Sequence, residues 1–172
     1  MSDAKLTLVL GGARSGKSRY AESMITAMPP PWGYVATAEP RDGEMTARIA
    51  THRARRGLPW KTIEAPLELA EAIVLCQPMP VLVDCLTLWL SNMMLAGSDI
   101  DAETGRLERA LQAAAAPVVL VANEVGSGIV PEYPLGRKFR DLQGTLNQRI
   151  AKRADRVVLM VAGLPLAVKG TL

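Results

Sequence analysis

The chain has 172 residues, the length of one domain, and 49% of them are apolar, enough to bury a substantial core. A net charge of +3 is too small to indicate a nucleic-acid partner, and no uninterrupted apolar stretch is long enough to span a bilayer. The first residues lack the pattern of a signal peptide, so we expect a cytoplasmic protein. Cys76 and Cys85 lie in apolar surroundings without metal-ligand spacing, which favours buried thiols over a disulfide or a metal site.

Strand-like and helix-like segments alternate along the first half of the chain. Residues 6–10 form a continuous run of apolar and β-branched residues that ends at Gly11, which is typical of a strand buried on both faces. A helix is predicted over residues 17–28, where three consecutive prolines end it. Further along, the pattern predicts a strand at 34–37, a helix at 44–56, a strand at 60–63 and a helix at 67–76.

The second half begins with an apolar strand at 81–84 that carries Asp84 at its carboxyl end. The helix predicted at 86–95 is apolar enough to be mostly buried, and Met93 and Met94 leave open whether it also forms an exposed interface. The remaining predictions are a helix at 102–115, a strand at 118–122, a long loop at 123–134, a helix at 137–153, a strand at 157–161 and a candidate edge strand after Gly163.

This alternation predicts an α/β fold, with a mostly parallel sheet flanked by helices, and nothing in residues 1–172 divides the chain into more than one domain. Ligands in such folds bind beyond the carboxyl ends of the strands. Four segments fall at those ends: residues 11–18, residues 36–38, Asp84 and residues 123–124. The sequence therefore predicts that these segments meet at one site.

A phosphate-binding motif follows the first predicted strand. Its glycines permit left-handed turns that direct backbone N–H groups at phosphate oxygens, and the helix that follows adds its positive end. Lys17 is expected to reach the β- and γ-phosphates, and the Ser18 hydroxyl to bind Mg²⁺. The motif G-x-x-x-x-G-K-[ST] is spelled by Gly11, Gly12, Ala13, Arg14, Ser15, Gly16, Lys17 and Ser18.

Asp84 is the candidate Walker-B acid, the carboxylate that accompanies a P-loop in such a site. At the end of an apolar strand it would hold Mg²⁺, directly or through water, and the alternative is that it caps the next helix. The chain has no Asn-Lys-x-Asp motif for reading guanine, and the D-x-x-G match at residues 141–144 lies inside a predicted helix. These features point away from signalling GTPases.

His52, the only histidine, extends the inward-facing stripe of the predicted helix at 44–56. One interpretation is a half-buried structural histidine. The other is a nucleophile towards phosphorus, because a neutral imidazole forms a P–N bond that a second acceptor can break. The neighbouring Arg53, Arg55 and Arg56 would bind the triphosphate and stabilise a departing pyrophosphate. The residues alone leave both interpretations open.

Segments spread over most of the chain resemble one family, the bifunctional adenosylcobinamide kinase / adenosylcobinamide-phosphate guanylyltransferases of cobalamin biosynthesis. The segments are GGARSGKS from Gly11, YVATAEPRDGEMTARIATHRARRG from Tyr34, VLVDCLTLWLSN from Val81 and NEVGSGIVPEYPLGRKFRDLQGTLNQRIAKRAD from Asn123. The resemblance implies a RecA-like P-loop NTPase core. It also implies two reactions: phosphorylation of adenosylcobinamide by ATP or GTP, and then transfer of GMP from GTP to that phosphate.

The resemblance also implies residue roles. The motif E-M-x-x-R-I-x-x-H places the covalent GMP carrier on His52. Some relatives have Ser in place of Ala38 and Glu in place of Asp84, and the shorter acid would change how Mg²⁺ is held. Besides the P-loop, the implied nucleotide contacts are Ala36, Thr37, Ala38, Arg53, Ala54, Arg55, Arg56, Glu64 and Asp84.

The resemblance also implies a homo-oligomer, and a homotrimer is expected here.

Two alternatives to the bifunctional enzyme stay open from the residues: a small-molecule kinase with a structural His52, and a regulatory protein whose loop at 123–134 acts as a switch. Glu124 is a candidate base for the kinase step, or it holds Gly126 and Gly128 in shape. The residues that bind the corrinoid are not identifiable from the sequence.

Overall fold

Seven strands form one sheet in the computed structural model, which describes residues 4–40, 43, 46–47, 50 and 57–172. The strands are β1 (Leu6–Gly11), β2 (Trp32–Ala36), β3 (Trp60–Glu64), β4 (Val81–Asp84), β5 (Val118–Asn123), β6 (Arg156–Val161) and β7 (Leu164–Lys169). Their spatial order is β3-β2-β4-β5-β1-β6-β7. All neighbours are parallel except β6 and β7, which are antiparallel. The predicted mostly parallel sheet and the edge strand after Gly163 are confirmed.

Five helices connect these strands within the described ranges: α1 (Lys17–Thr26), α2 (Leu69–Cys76), α3 (Leu86–Ala96), α4 (Ile100–Ala113) and α5 (Pro134–Arg153). Of the further helix predicted at 44–56, Thr46, Ala47 and Ala50 have helical backbone, and all of its other residues lie outside the described ranges. Residues 141–144, which spell D-x-x-G, lie within α5 as predicted.

The sheet is buried on both faces, which explains why its central strands are continuous apolar runs. On one face, Val9 and Val121 pack with Ile25 of α1. On the other face, Leu8 of the same strand packs with Trp89 of α3 and Ile150 of α5, among others. Within this sheet β4, β5 and β1 lie side by side, so the loops after these three strands lie together.

Several boundaries differ from the predictions. Helix α1 ends at Thr26, two residues early, and the Met28 carbonyl accepts a hydrogen bond from the Trp32 indole N–H at 2.9 Å. Helix α5 begins earlier than predicted, at Pro134, because proline fits the first helical position, where no N–H is needed. Met93 is only 1% exposed, so of the two possibilities left open for α3, core and interface, this position belongs to the core.

Both cysteines are buried and free, as predicted. Among the helices of the described ranges, none combines the length and the apolarity needed to cross a membrane.

Candidate active site

The turn between β1 and α1 comes too close to its neighbours to carry a side chain at its first glycine. Gly11 has φ 153°, and an added Cβ would lie 2.6 Å from both the Met160 carbonyl oxygen and Ser15 Oγ. Gly16 has φ 95° and is the N-cap of α1, so no side chain covers the first turn of the helix. The backbone N–H groups at this helix end are therefore open to an anion.

Lys17 opens α1 and is only 8% exposed. Its ammonium group donates to the Gly12 carbonyl oxygen at 2.5 Å, which holds it over the turn. Beside it, the buried Ser15 hydroxyl has no hydrogen-bond partner among the described residues. The buried Lys17 cation, next to a buried Ser15 hydroxyl that forms no hydrogen bond among the described residues, fits a ligand rich in acceptor oxygens, as a phosphate is.

Asp84, at the end of β4, accepts a hydrogen bond from the phenol of Tyr34 on β2. Tyr34 was not among the site residues predicted from the sequence. The Tyr34 hydroxyl donates to Asp84 Oδ2 at 3.1 Å. The Tyr34 ring is packed edge-on against Trp60, with ring centroids 6.0 Å apart. The N-cap of the following helix is Cys85, so the capping alternative for Asp84 finds no support. Aromatic packing between strands thus orients the carboxylate.

Thr37 lies beneath the site with its side chain fully buried. Its hydroxyl donates to the Cys85 carbonyl at 2.7 Å and accepts from the Cys85 N–H at 2.8 Å, and its own carbonyl accepts from Asn92 Nδ2 at 2.8 Å. Thr37 therefore supports the turn that follows Asp84. Burial, with the negative charge of Asp84, raises the pKa of the Cys85 thiol to about 11, which keeps that thiol neutral.

One cleft of about 1360 Å³ unites most of the predicted site. Gly11 and Thr37 are buried, and Gly12 contributes its carbonyl oxygen to Lys17. The predicted residues that line the cleft are Ala13, Arg14, Ser15, Gly16, Lys17, Ser18, Ala36, Ala38, Glu64 and Asp84.

The predicted nucleophile lies outside the described residues. His52 and the four residues after it, Arg53, Ala54, Arg55 and Arg56, all fall in this part of the sequence. Thr46 and Ala50, which precede His52 by six and two positions, line the cleft. The segment that leads to the histidine thus reaches the site.

Two polar residues after β5 are placed differently from one another. Asn123 lines the cleft, as expected for a residue of a strand-end segment, although no chemical role was predicted for it. Glu124 turns to its own loop, where its carboxylate accepts a hydrogen bond from the Gly126 N–H at 2.6 Å. This contact favours loop support over the role of a base for Glu124.

The donor set at the site fits Mg²⁺. In the described ranges, no group of three or more His, Cys, Asp or Glu side chains could hold a metal ion. Mg²⁺ is usually bound by one or two carboxylates together with substrate phosphates and water. Ser18 and Asp84 line the same cleft as Lys17, so one hydroxyl and one carboxylate face the place where phosphates would bind.

The family model described as cobinamide kinase / cobinamide phosphate guanyltransferase matches residues 7–168. A bifunctional adenosylcobalamin biosynthesis protein, CobP of Pseudomonas aeruginosa, is 46% identical over 167 residues, covering 95% of this chain and 96% of that protein. The bifunctional adenosylcobalamin biosynthesis protein CobU of Salmonella typhimurium is 41% identical over 181 residues, covering 95% and 99%. CobU of Escherichia coli has the same identity and coverage.

Solved structures with the same fold are more distant in sequence. The RadB recombinase has a TM-score of 0.53 at 19% identity, covering 90% of this chain and 73% of that chain. An ATPase of the type III secretion system of pathogenic bacteria has a TM-score of 0.54 at 11% identity, covering 95% and 56%. These likenesses confirm the fold of P-loop NTPases.

Proposed function

Because this chain belongs to the cobinamide kinase / cobinamide phosphate guanyltransferase family, we propose that both of its activities take place in the cleft above the P-loop. The chain phosphorylates cobinamide and transfers a guanylyl group to cobinamide phosphate in cobalamin biosynthesis. The observation that carries the proposal is that Lys17, Asp84 and Ala50 line one cleft. The expected alternatives of a kinase alone and of a regulatory protein are set aside, because the family has both activities.

We assign the triphosphate of ATP or GTP to the P-loop, residues 11–18. The backbone N–H groups of the turn and the Lys17 ammonium would contact the β- and γ-phosphates. Ala36, Ala38 and Glu64, at the ends of β2 and β3 and just beyond, would line the nucleoside, with the Glu64 carboxylate as an acceptor for its N–H or O–H groups. The remaining proposed contacts are Thr37, through the turn that it supports, and Arg53, Ala54, Arg55 and Arg56.

Ser18 and Asp84 would hold Mg²⁺, with Tyr34 orienting the Asp84 carboxylate. When bound, the ion neutralises charge on the β- and γ-phosphates. Lys17 performs the same task with a fixed cation, and its burial strengthens that interaction because water screens it poorly.

For the kinase step, the substrate hydroxyl attacks the γ-phosphorus and releases its proton to water, and the bond from that phosphorus to the β,γ-bridging oxygen breaks. The nucleoside diphosphate leaves while Lys17 and the P-loop amides hold its terminal oxygens. Because the Glu124 carboxylate is bound to the Gly126 amide, we assign Glu124 to the support of its loop.

For the guanylyl transfer, we propose His52 as a covalent relay. Its neutral imidazole attacks the α-phosphorus of GTP, a P–N bond forms, and pyrophosphate departs as the α–β phosphoanhydride bond breaks. A phosphate oxygen of cobinamide phosphate then attacks the same phosphorus and breaks the P–N bond. The products are cobinamide-GDP and the free imidazole. Ala50 on the cleft supports this assignment, since His52 follows it by two residues.

We further propose that the chain acts as one nucleotide-binding domain within a cytoplasmic homotrimer. Apolar side chains at the end of the sheet support an interface there: Leu164 is 71% exposed and Leu166 57% exposed on β7. Light scattering should give the mass of a trimer, and a monomer mass at micromolar concentration would contradict this.

The relay is tested by incubating the protein with Mg²⁺ and GTP labelled at the α-phosphate. The wild-type chain should retain label that is labile in acid and stable in base, as a P–N bond is. The His52→Asn variant should retain none, while it still phosphorylates cobinamide with ATP. Label on the variant, or no label on the wild-type chain, would reject the relay.

A further inference from the structure

Asn123 ends β5 at the centre of the site. In the sheet, β5 lies between β1, which leads into the P-loop, and β4, which carries Asp84. Asn123 is level with Gly11, and Asp84 is level with Val121, so Asn123 extends two residues beyond the acid. It lines the same cleft as Lys17 and Asp84.

The side chain of Asn123 lies on the P-loop face of the sheet. Alternate residues of a strand point to opposite faces, and Val119 and Val121 both pack in the cluster beneath α1. Asn123 follows in the same series. Its carboxamide takes part in none of the hydrogen bonds formed among the described residues, which involve only its backbone.

Buried side chains from two helices hold that backbone from both sides. The Asn123 N–H donates to Thr87 Oγ1 at 2.7 Å, and the Asn123 carbonyl accepts from Asn147 Nδ2 at 3.0 Å. Asn147 Oδ1 in turn accepts from Gln143 Nε2 at 2.8 Å. Gln143 is fully buried, and Thr87 and Asn147 are each 6% exposed. Such a fully enclosed polar chain fixes the position of the residue that it holds.

We propose that the Asn123 carboxamide donates a hydrogen bond to the γ-phosphate of the bound nucleotide and is thereby a catalytic residue of the kinase step. A neutral amide donor stabilises the charge on the transferring phosphoryl group without changing its own protonation state. In guanylyl transfer the bond that breaks joins the α- and β-phosphorus atoms through oxygen. In that reaction the γ-phosphate is the far end of the departing pyrophosphate, away from the bond that breaks. Guanylyl transfer should therefore depend on Asn123 less than the kinase step does.

This inference rests on the proposed placement of the nucleotide in the P-loop. The Asn123→Ala variant should lower kcat for phosphorylation of cobinamide about 100-fold, as the loss of one charge-stabilising donor does elsewhere. Its guanylyl transfer to cobinamide phosphate should fall less than about 10-fold. Its affinity for a non-hydrolysable ATP analogue should fall about 10-fold and its affinity for ADP should be unchanged, because ADP has no γ-phosphate.

Three further variants keep the test decisive. Asn123→Asp has nearly the same shape but brings a negative charge to the γ-phosphate, so it should impair the kinase more than Asn123→Ala does. Gln148→Ala, which shortens an exposed side chain on α5, should change none of these quantities. Unchanged affinity of Asn123→Ala for the ATP analogue, or an equal loss of both activities, would overturn the role. If instead Lys17→Ala binds ADP as well as the wild-type chain, the proposed nucleotide site itself is wrong.

Discussion

Gly11 illustrates how a single backbone position can determine the site. An added Cβ would meet the Met160 carbonyl and Ser15 Oγ, both at 2.6 Å, and one of these contacts is with rigid backbone of the neighbouring strand. The motif predicts a glycine here from the sequence. The structure adds that β6 and Ser15 themselves require a glycine here, apart from any phosphate that the turn would bind.

We therefore expect Gly11→Ala to lower the free energy of unfolding by about 2 kcal/mol and to weaken ADP binding at least about 10-fold. Urea denaturation and calorimetric titration measure the two effects. Gly12→Ala is the matched control for stability, because no atom lies within 4 Å of its added Cβ. Equal unfolding midpoints for the two variants would show that the close approach at Gly11 is not a constraint.

The contacts that orient several residues of the site could not be found from the sequence. Tyr34 and Asp84 meet across 50 positions, and Thr37 and Asn92 meet across 55. Local patterns carry no signal for such pairs, because only the packing of strands and helices brings them together. Lys17, Ser18 and Asp84 were predictable because each belongs to a short motif at the end of an apolar strand.

At the scale of elements, the strands were the most predictable. Strands β1, β4 and β5 are buried on both faces, so their sequences are almost entirely apolar or β-branched and are readily predicted as strands. Helix ends were less predictable: α5 begins at Pro134 and not at residue 137, because the prolines of the preceding segment were interpreted as loop although proline fits a first helical position. The pairing of β7 with β6 places an apolar strand at the edge, as the tail after Gly163 had suggested.

Helices α4 and α5 are joined by an ion cluster around Glu108. Its carboxylate accepts from Arg149 Nε at 2.9 Å and from Arg153 Nη2 at 3.0 Å. The hydrogen bond from Arg149, with that from Arg153, lowers the pKa of Glu108 from 4.5 to about 2. The folded state therefore binds this proton less readily than the unfolded state. The stabilisation is present above about pH 4.5 and is lost as the pH falls towards 2.

We expect Glu108→Gln to lower the free energy of unfolding by about 2 kcal/mol at pH 7, a value reduced for the partial exposure of both arginines. The difference from the wild-type chain should shrink between pH 5 and pH 2, as measured by urea denaturation across that range. Glu103→Gln, which breaks the more exposed pair with Arg106, should have a smaller effect. A Glu108→Gln difference that does not change with pH would contradict the lowered pKa.

At the scale of the whole molecule, the site exists because parallel strands end at one edge of the sheet. The alternation of strands and helices predicted that edge, but not the order of the strands along it. The order matters, since it is the placement of β5 between β1 and β4 that brings Asn123 between the P-loop and Asp84. Three of the six neighbouring pairs in this sheet, β2 with β4, β5 with β1 and β1 with β6, are not consecutive along the chain, so only the folded chain reveals them.

One nucleotide site is proposed to serve both reactions, and the Lys17→Ala variant distinguishes one site from two. Kinase turnover with ATP and formation of the covalent GMP adduct from GTP are measured on the same preparation, with circular dichroism to verify folding. If one cleft holds both nucleotides, the variant loses both activities together, each by about 100-fold or more. A variant that loses kinase activity but forms the GMP adduct at the wild-type rate would show that GTP binds at a second nucleotide site, and the proposal of a single shared site would be wrong.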